Sequence, residues 1–247
     1  MNDARATAVL TVEGVRKAFG DTVVLDGIDF EVAPGEVVAL IGPSGSGKST
    51  LLRCLNLLEQ VDDGRVLLAG DDITDPRVDV DAVRARFGVV FQQYNLFPHL
   101  SVLDNVTLAL RTVHRVSRVE AERRGLELLG RIGLADHARR HPDGLSGGQQ
   151  QRAAIVRALA IEPQVLLLDE ITSALDPELV GEVLDLVREL AHTTTIVMAT
   201  HELAFARDVA TTLLFLDGGV IVERGGPEML DAPREERTRA FLSRFRG

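Results

Sequence analysis

Residues 37–50 read VVALI followed without a break by GPSGSGKST. A continuous apolar run closed by a glycine cluster is the pattern of a strand buried on both faces. Beyond the cluster, Leu51, Leu52, Leu55 and Leu58 recur at helical spacing. A buried strand, a glycine loop and a helix therefore follow one another. Within the loop, Gly42-Pro-Ser44-Gly45-Ser46-Gly47-Lys48-Ser49 matches G-x-x-x-x-G-K-[ST], and Thr50 follows it. The glycines let the backbone wrap closely enough for its N–H groups to point at phosphate oxygens. Lys48 is then placed to reach the β- and γ-phosphates, and the Ser49 hydroxyl to ligate Mg²⁺. The start of the helix adds partial positive charge. A glycine-rich turn with a chance lysine would produce this pattern in roughly one per cent of chains this long. The chain has only two lysines, Lys17 and Lys48, against 25 arginines, so Lys48 is an unusual choice for mere solubility.

Working outward, short strands are predicted at Val9 to Val12, Val23 to Phe30 and Glu36 to Ile41, punctuated by Gly20, Gly27 and Pro34-Gly35. Further strands are predicted at RVLLAG (65–70), FGVVFQ (87–92), VLLLD (165–169) and TTIVMAT (194–200), with a hairpin at 213–223 around Gly218-Gly219. From Tyr94 to Leu159 the texture is helical. Ser101 with Asp104, and Ser117 with Glu120, read as capped helix starts. Asp176-Pro177 begins another helix, and the tail from Pro233 is helical and charged. Alternating buried strands and helices indicate an α/β fold with a mainly parallel sheet, interrupted by a helical insertion.

Composition narrows the function. A net charge of −10 argues against nucleic acid as a partner, because phosphate contacts need clustered cations. The lone cysteine, Cys54, lies in an apolar helical stretch and reads as a buried, inert thiol. The N-terminal MNDARATAVLTVEGV lacks the basic start and apolar run of a secretory signal. No stretch approaches the ~18 apolar residues of a membrane span, so any membrane contact is expected to go through a partner.

At the end of VLLLDE (165–170), Asp169 is placed to hold Mg²⁺ and Glu170 to take a proton from an attacking water. A strand ending in Asp-Glu is common by itself and gains this meaning from the phosphate loop. Leu145-Ser146-Gly147-Gly148-Gln149 is followed by Gln150-Gln151-Arg152. By its chemistry alone, Ser146 with Gln149 is a capping box whose helix start favours anions.

With LSGGQ beside the phosphate loop and the Asp-Glu strand, the chain resembles ATP-binding-cassette ATPases over essentially its full length. The resemblance implies a P-loop NTPase (RecA-like) α/β core with an N-terminal antiparallel β subdomain and a helical subdomain inserted at 93–159. All of it would lie in one ATPase domain, 1–247. It implies ATP and Mg²⁺ as ligands and a head-to-tail pair of subunits, expected to be a homodimer. Ser146, Gly147, Gly148 and Gln149 of one chain would complete the γ-phosphate site of the other. By the same resemblance, Asp176 lies in the loop that crosses between the two sites. Gln92 contacts Mg²⁺ and water, with Gln93 a bystander. His201 is the switch residue on the γ-phosphate, and Phe19 stacks on adenine. The family commonly has Pro after the catalytic Glu, where this chain has Ile171; the turn there is expected to be slightly altered.

A finer resemblance is to ATP-binding subunits of bacterial polar-amino-acid importers. It rests on FQQYNLFPHLSVLDNV (91–106), THELAFARDVA (200–210) and PREERTRAFLSRF (233–245). It implies an integral membrane permease as partner, a substrate-binding protein acting indirectly, and a peripheral place on the cytoplasmic face of the membrane. Between Ser101 and Gly144, eight arginines face six acids, a local excess in a net acidic chain. Two readings stay open beside import: a lipoprotein or peptide efflux ATPase, and a non-transport relative of the iron–sulfur assembly type. A DNA-repair member would carry long heptads, which are absent, and a non-hydrolytic regulator would lack Glu170 or His201.

Overall fold

Every side chain of the VVALI stretch is buried, as a strand covered on both faces requires. The computed structural model describes residues 8–245, so the first part of the N-terminal stretch read for a secretory signal lies outside them. In chain order the first elements are β1 (Leu10–Phe19), β2 (Thr22–Val32), β3 (Val37–Ile41) and α1 (Lys48–Leu55). Then come β4 (Asp63–Leu68), β5 (Asp71–Asp72), α2 (Val80–Arg84) and β6 (Phe87–Val90). The helices α3 (Val102–Thr112), α4 (Arg118–Arg131) and α5 (Gly147–Leu159) lead to β7 (Val165–Asp169) and α6 (Pro177–Leu190). The chain continues through β8 (Ile196–Ala199), α7 (Leu203–Val209), β9 (Thr212–Asp217), β10 (Val220–Gly225) and α8 (Glu236–Leu242). These elements form two compact units, one built from the chain up to Arg84 and again from Ala191 onward, the other from Ala85–Leu190.

In the first unit, β3 pairs in parallel with β8 on one side and β9 on the other. β10 closes this group as the antiparallel partner of β9 across the predicted Gly218-Gly219 turn. A separate antiparallel sheet runs β2-β1-β4-β5. β1 is longer than the predicted Val9 to Val12. Its second half, Glu13 to Phe19, carries register shifts against β2, which break the period-two alternation that reveals a strand in sequence. The short β5 and α2 were also not predicted, having too few residues to show a period.

In the second unit, β6 and β7 pair in parallel, with Val90 opposite Leu168. The predicted helix starts are observed: Ser101 accepts from the Asp104 N–H, and Ser117 from the Glu120 N–H. The three helices α3, α4 and α5 fall inside the stretch predicted to be helical. α4 approaches α3 at Gly125, where a Cβ would stand 2.6 Å from the Thr107 methyl. Ahead of α3, the fully buried Asn105 amide accepts from Phe97 N–H at 2.7 Å and donates to the carbonyls of Phe97 and Ser101. The segment entering α3 is thereby held by a satisfied buried polar group rather than by apolar packing.

Cys54 is fully buried on α1, and burial pushes its thiol pKa up to about 12. It should therefore resist a thiol reagent such as DTNB at pH 8 in the native chain and react fully in guanidinium. Rapid native labelling would contradict the packing around α1.

Candidate functional site

In the first unit, the loop after β3 is shaped by what it lacks. At Gly42 (φ 148°) a Cβ would collide with the Leu216 carbonyl oxygen of β9. At Gly47 (φ 104°), just before α1, a Cβ would lie 2.9 Å from the Val24 carbonyl oxygen. Both positions need glycine for space and for backbone sign. The loop between them exposes Ser44 and Gly45, whereas Ser46 is buried. The Ser46 hydroxyl has no protein partner, as expected of a loop built around a polar ligand. Lys48 is 4% exposed and its ammonium donates to the carbonyls of Gly42 and Pro43, 3.0 Å each, so the side chain arches back over the loop. Ser49 and Thr50 continue into α1 half-buried.

His201 follows β8, the parallel neighbour of β3, and the Thr200 N–H donates to Leu40 at 3.2 Å. The loop Gly42–Thr50 and His201 thus leave adjacent strands at the same carboxyl edge, where ligands collect in parallel sheets. Thr200 Oγ1 accepts from Glu202 N–H at 2.9 Å and fixes the turn on which the exposed His201 sits.

Phe19, at the end of β1, is 47% exposed, which suits a stacking surface and not a core residue. The Lys17 ammonium lies 5.1 Å from its ring centroid and 3.2 Å from Asp62. Asp62 also accepts from the Ala18 N–H at 2.6 Å, a bond that, with Lys17, holds its carboxyl below the usual carboxylate range. Neither Lys17 nor Asp62 was singled out from sequence. An aspartate far along the chain gives no local sign that it braces β1.

In the second unit, the carboxyl edge of β6 and β7 gathers Gln92, Asp169 and Glu170. Asp169 ends β7 and is 7% exposed; Glu170 follows half-buried, and Gln92 is exposed. Glu170 has φ 46°, a left-handed conformation that costs a non-glycine residue strain. The turn is closed by Ser173, whose N–H and hydroxyl both donate to the Glu170 carbonyl, at 3.1 and 2.7 Å. A proline at 171 would bias Glu170 toward extended backbone. Here the 171 side chain is isoleucine, 7% exposed, and its burial anchors the turn instead.

Ser146 caps α5 as predicted, with both halves of the box present: Gln149 N–H to Ser146 Oγ at 3.3 Å, and Ser146 N–H to Gln149 Oε1 at 3.0 Å. Ser146 remains exposed, while Gly147 is half-buried and Gly148 is packed against Leu179 of α6, where a Cβ would stand 3.2 Å away. Asp176 is exposed immediately before α6, and its carbonyl accepts from Leu179 N–H.

The oxygens on offer suit a hard cation: in the first unit the Ser49 hydroxyl, and in the second the Asp169 carboxylate and Gln92 amide at one carboxyl edge; among the described residues no cluster of three or more His, Cys, Asp or Glu suited to a metal exists. Mg²⁺ is commonly held this way, by one or two protein oxygens together with phosphates and water.

Among known proteins, the ABC transporter family profile matches residues 25–173. A probable amino-acid ABC transporter ATP-binding protein of Sinorhizobium fredii is 50% identical, covering 95% of this chain and 96% of its own. The glutamine transport ATP-binding protein GlnQ of Escherichia coli is 49% identical over 95% of this chain and 98% of its own. The L-cystine import ATP-binding protein TcyC of Bacillus subtilis is 48% identical over 96% and 98%. Among solved structures, the ATP-binding cassette MJ0796, a dimer in a post-hydrolysis state bound to ADP and Pi, superposes with a TM-score of 0.79. It is 34% identical and covers 88% of this chain and 98% of its own.

Gly42→Ala should weaken ATP binding by at least about tenfold, because the loop must move off the Leu216 carbonyl to admit the methyl. Titration with a fluorescent ATP analogue measures this, and unchanged affinity would contradict the cradle geometry.

Proposed function

The chain belongs to the ABC transporter family and is an ATPase of that family, and we propose that it energises uptake of a polar amino acid through a separate membrane permease. The observation that carries import is identity of 48 to 50%, over nearly whole chains, to subunits named for amino-acid, glutamine and cystine transport. Among the described residues no helix is long and apolar enough to cross a membrane; bound to the permease, the chain would lie peripherally on the cytoplasmic face. A substrate-binding protein would deliver cargo to the permease, and this chain would not touch it.

In the chemical step, Lys48 and the amides of Gly42–Thr50 neutralise the β- and γ-phosphates of ATP, while Phe19 stacks on adenine. Water attacks the γ-phosphorus in line, its proton passes to the Glu170 carboxylate, and the bond to the β–γ bridging oxygen breaks to leave ADP and phosphate. His201 holds the γ-phosphate and Gln92 orients the water. Ser49 in the phosphate loop, and Asp169 and Gln92 at the edge of the second unit, would each offer an oxygen to Mg²⁺, which would supply positive charge to the phosphates. The exposed Ser146, with Gly147, Gly148 and Gln149, would complete the γ-phosphate site of a second copy, and Asp176 would meet that copy's equivalent. The left-handed Glu170 is the structural feature that best suits the hydrolytic reading, since strain of this kind persists where surroundings hold a reacting group in place.

Glu170→Gln should retain ATP affinity and lower turnover at least about a hundredfold, measured by phosphate release. Normal turnover would remove Glu170 from the mechanism. For the cargo, the tagged chain should co-purify from its native membrane with a polytopic permease, and its ATPase rate should rise with an amino-acid-loaded binding protein. Recovery with soluble assembly partners alone, or stimulation by an efflux substrate, would discard import and leave the ATPase chemistry standing.

A further inference from the structure

Tyr94 lies two residues beyond Gln92, in a segment with no regular secondary structure. Such a segment moves unless something ties it down. Three ties are present inside the second unit. Arg157 of α5 donates to the Asn95 carbonyl at 2.6 Å and to the Tyr94 carbonyl at 3.3 Å. Asn95 itself is left-handed, φ 48°, which turns its carbonyl away from an extended course. Asn105 holds Phe97 at the far end. The third tie is the Tyr94 hydroxyl, which donates to the Ala174 carbonyl at 3.1 Å.

Ala174 belongs to the tight stretch that begins at Glu170 and ends at Asp176. Ser173 closes onto the Glu170 carbonyl, and the Leu175 N–H donates to Thr172 at 3.0 Å, so the stretch behaves as linked turns. Tyr94 also meets the start of α5: a Cβ at Gly147 would stand 2.7 Å from the Tyr94 hydroxyl oxygen. One phenol oxygen therefore bonds the stretch that carries Glu170 and lies beside Gly147, next to Ser146, while its backbone continues the stretch that carries Gln92. Burial lowers the Arg157 pKa from its ordinary value, so a desolvated cation is spent on holding this backbone in place.

We propose that Tyr94 is a positioning residue for ATP hydrolysis, whose hydroxyl locks the Gln92 segment to the Glu170–Asp176 turn and to the first residues of α5. The inference rests on the reading of Glu170 as the general base. A shift of the Gln92 segment then moves the Glu170 turn with it, and a Cβ at Gly147 would crowd the hydroxyl that reaches Ala174. A phenylalanine in this place would keep the ring and lose the link.

The test measures ATPase kinetics and thermal unfolding of the full chain in four forms: parent, Tyr94→Phe, Gly147→Ala and the double variant. Loss of one neutral hydrogen bond is expected to lower kcat about fivefold in Tyr94→Phe, with KM for ATP within about twofold and the unfolding midpoint unchanged. Gly147→Ala pushes the hydroxyl off Ala174 and should lower kcat at least as much, since Gly147 also belongs to the stretch proposed to meet a second copy. The double variant should be no slower than the slower single, because both changes break the same link. Parent-like kcat in Tyr94→Phe, or losses that multiply in the double variant, would overturn the proposal. So would a midpoint that falls in step with kcat, which marks a packing role. Glu170→Gln assayed alongside separates the two claims: if it is inactive while Tyr94→Phe is normal, the base stands and the positioning role falls.

Discussion

Peptide N–H groups can surround a phosphate only where the backbone is bare, and the chain meets that constraint at the close passage of Gly42 beside the Leu216 carbonyl. No side chain fits there. The passage in turn depends on β9 being the parallel neighbour of β3, which brings the end of β9 up against the loop. On the other side of β3, parallel pairing with β8 delivers His201 to the same edge. The arched Lys48 then places a cation over a loop whose own carbonyls hold it. A surface lysine would spend that charge on water; this one is buried and oriented by the loop's own carbonyls, the kind of preorganisation that makes electrostatic stabilisation effective.

The second unit solves a different problem with the same device. Parallel β6 and β7 end together, so residues that are 77 apart in sequence, Gln92 and Asp169, leave from one edge. The proposed general-base role needs a carboxylate held at a fixed angle. Glu170 achieves it by a strained backbone, closed from below by two bonds from Ser173 and anchored by the buried Ile171. Strain of about 1–3 kcal/mol at such a residue is tolerated when neighbouring contacts over-determine it. The capping box at Ser146 follows related logic: the hydroxyl is fixed by the Gln149 amide yet left exposed, so the helix start presents a rigid surface outward.

Much of this was legible in the sequence because it is local. The phosphate loop, the buried runs at 37–41 and 165–169, and the caps at Ser101, Ser117 and Ser146 all show in a few consecutive residues. The structure places each of them where the pattern predicted. What stayed hidden is long-range or irregular. The second half of β1 was lost because register shifts scramble its alternation. Asp62 bracing Ala18, Asn105 gripping Phe97, and Arg157 and Tyr94 fixing the stretch after Gln92 involve pairs separated by 8 to 80 residues, or backbone carbonyls that no sequence pattern encodes. The left-handed Glu170 was equally invisible, since nothing in Asp-Glu-Ile requires it.

The proposed hydrolytic sites are each shared, with Lys48 from one chain and Ser146 from another. Mixing two inactive variants, Lys48→Ala and Ser146→Ala, tests this directly. In a freely exchanging symmetric pair, half of the dimers are mixed and each mixed dimer keeps one site with both residues intact, so ATPase should recover to about a quarter of the parent rate. A mixture that stays at the level of the separate variants would contradict the shared site and place Ser146 in the same site as its own Lys48.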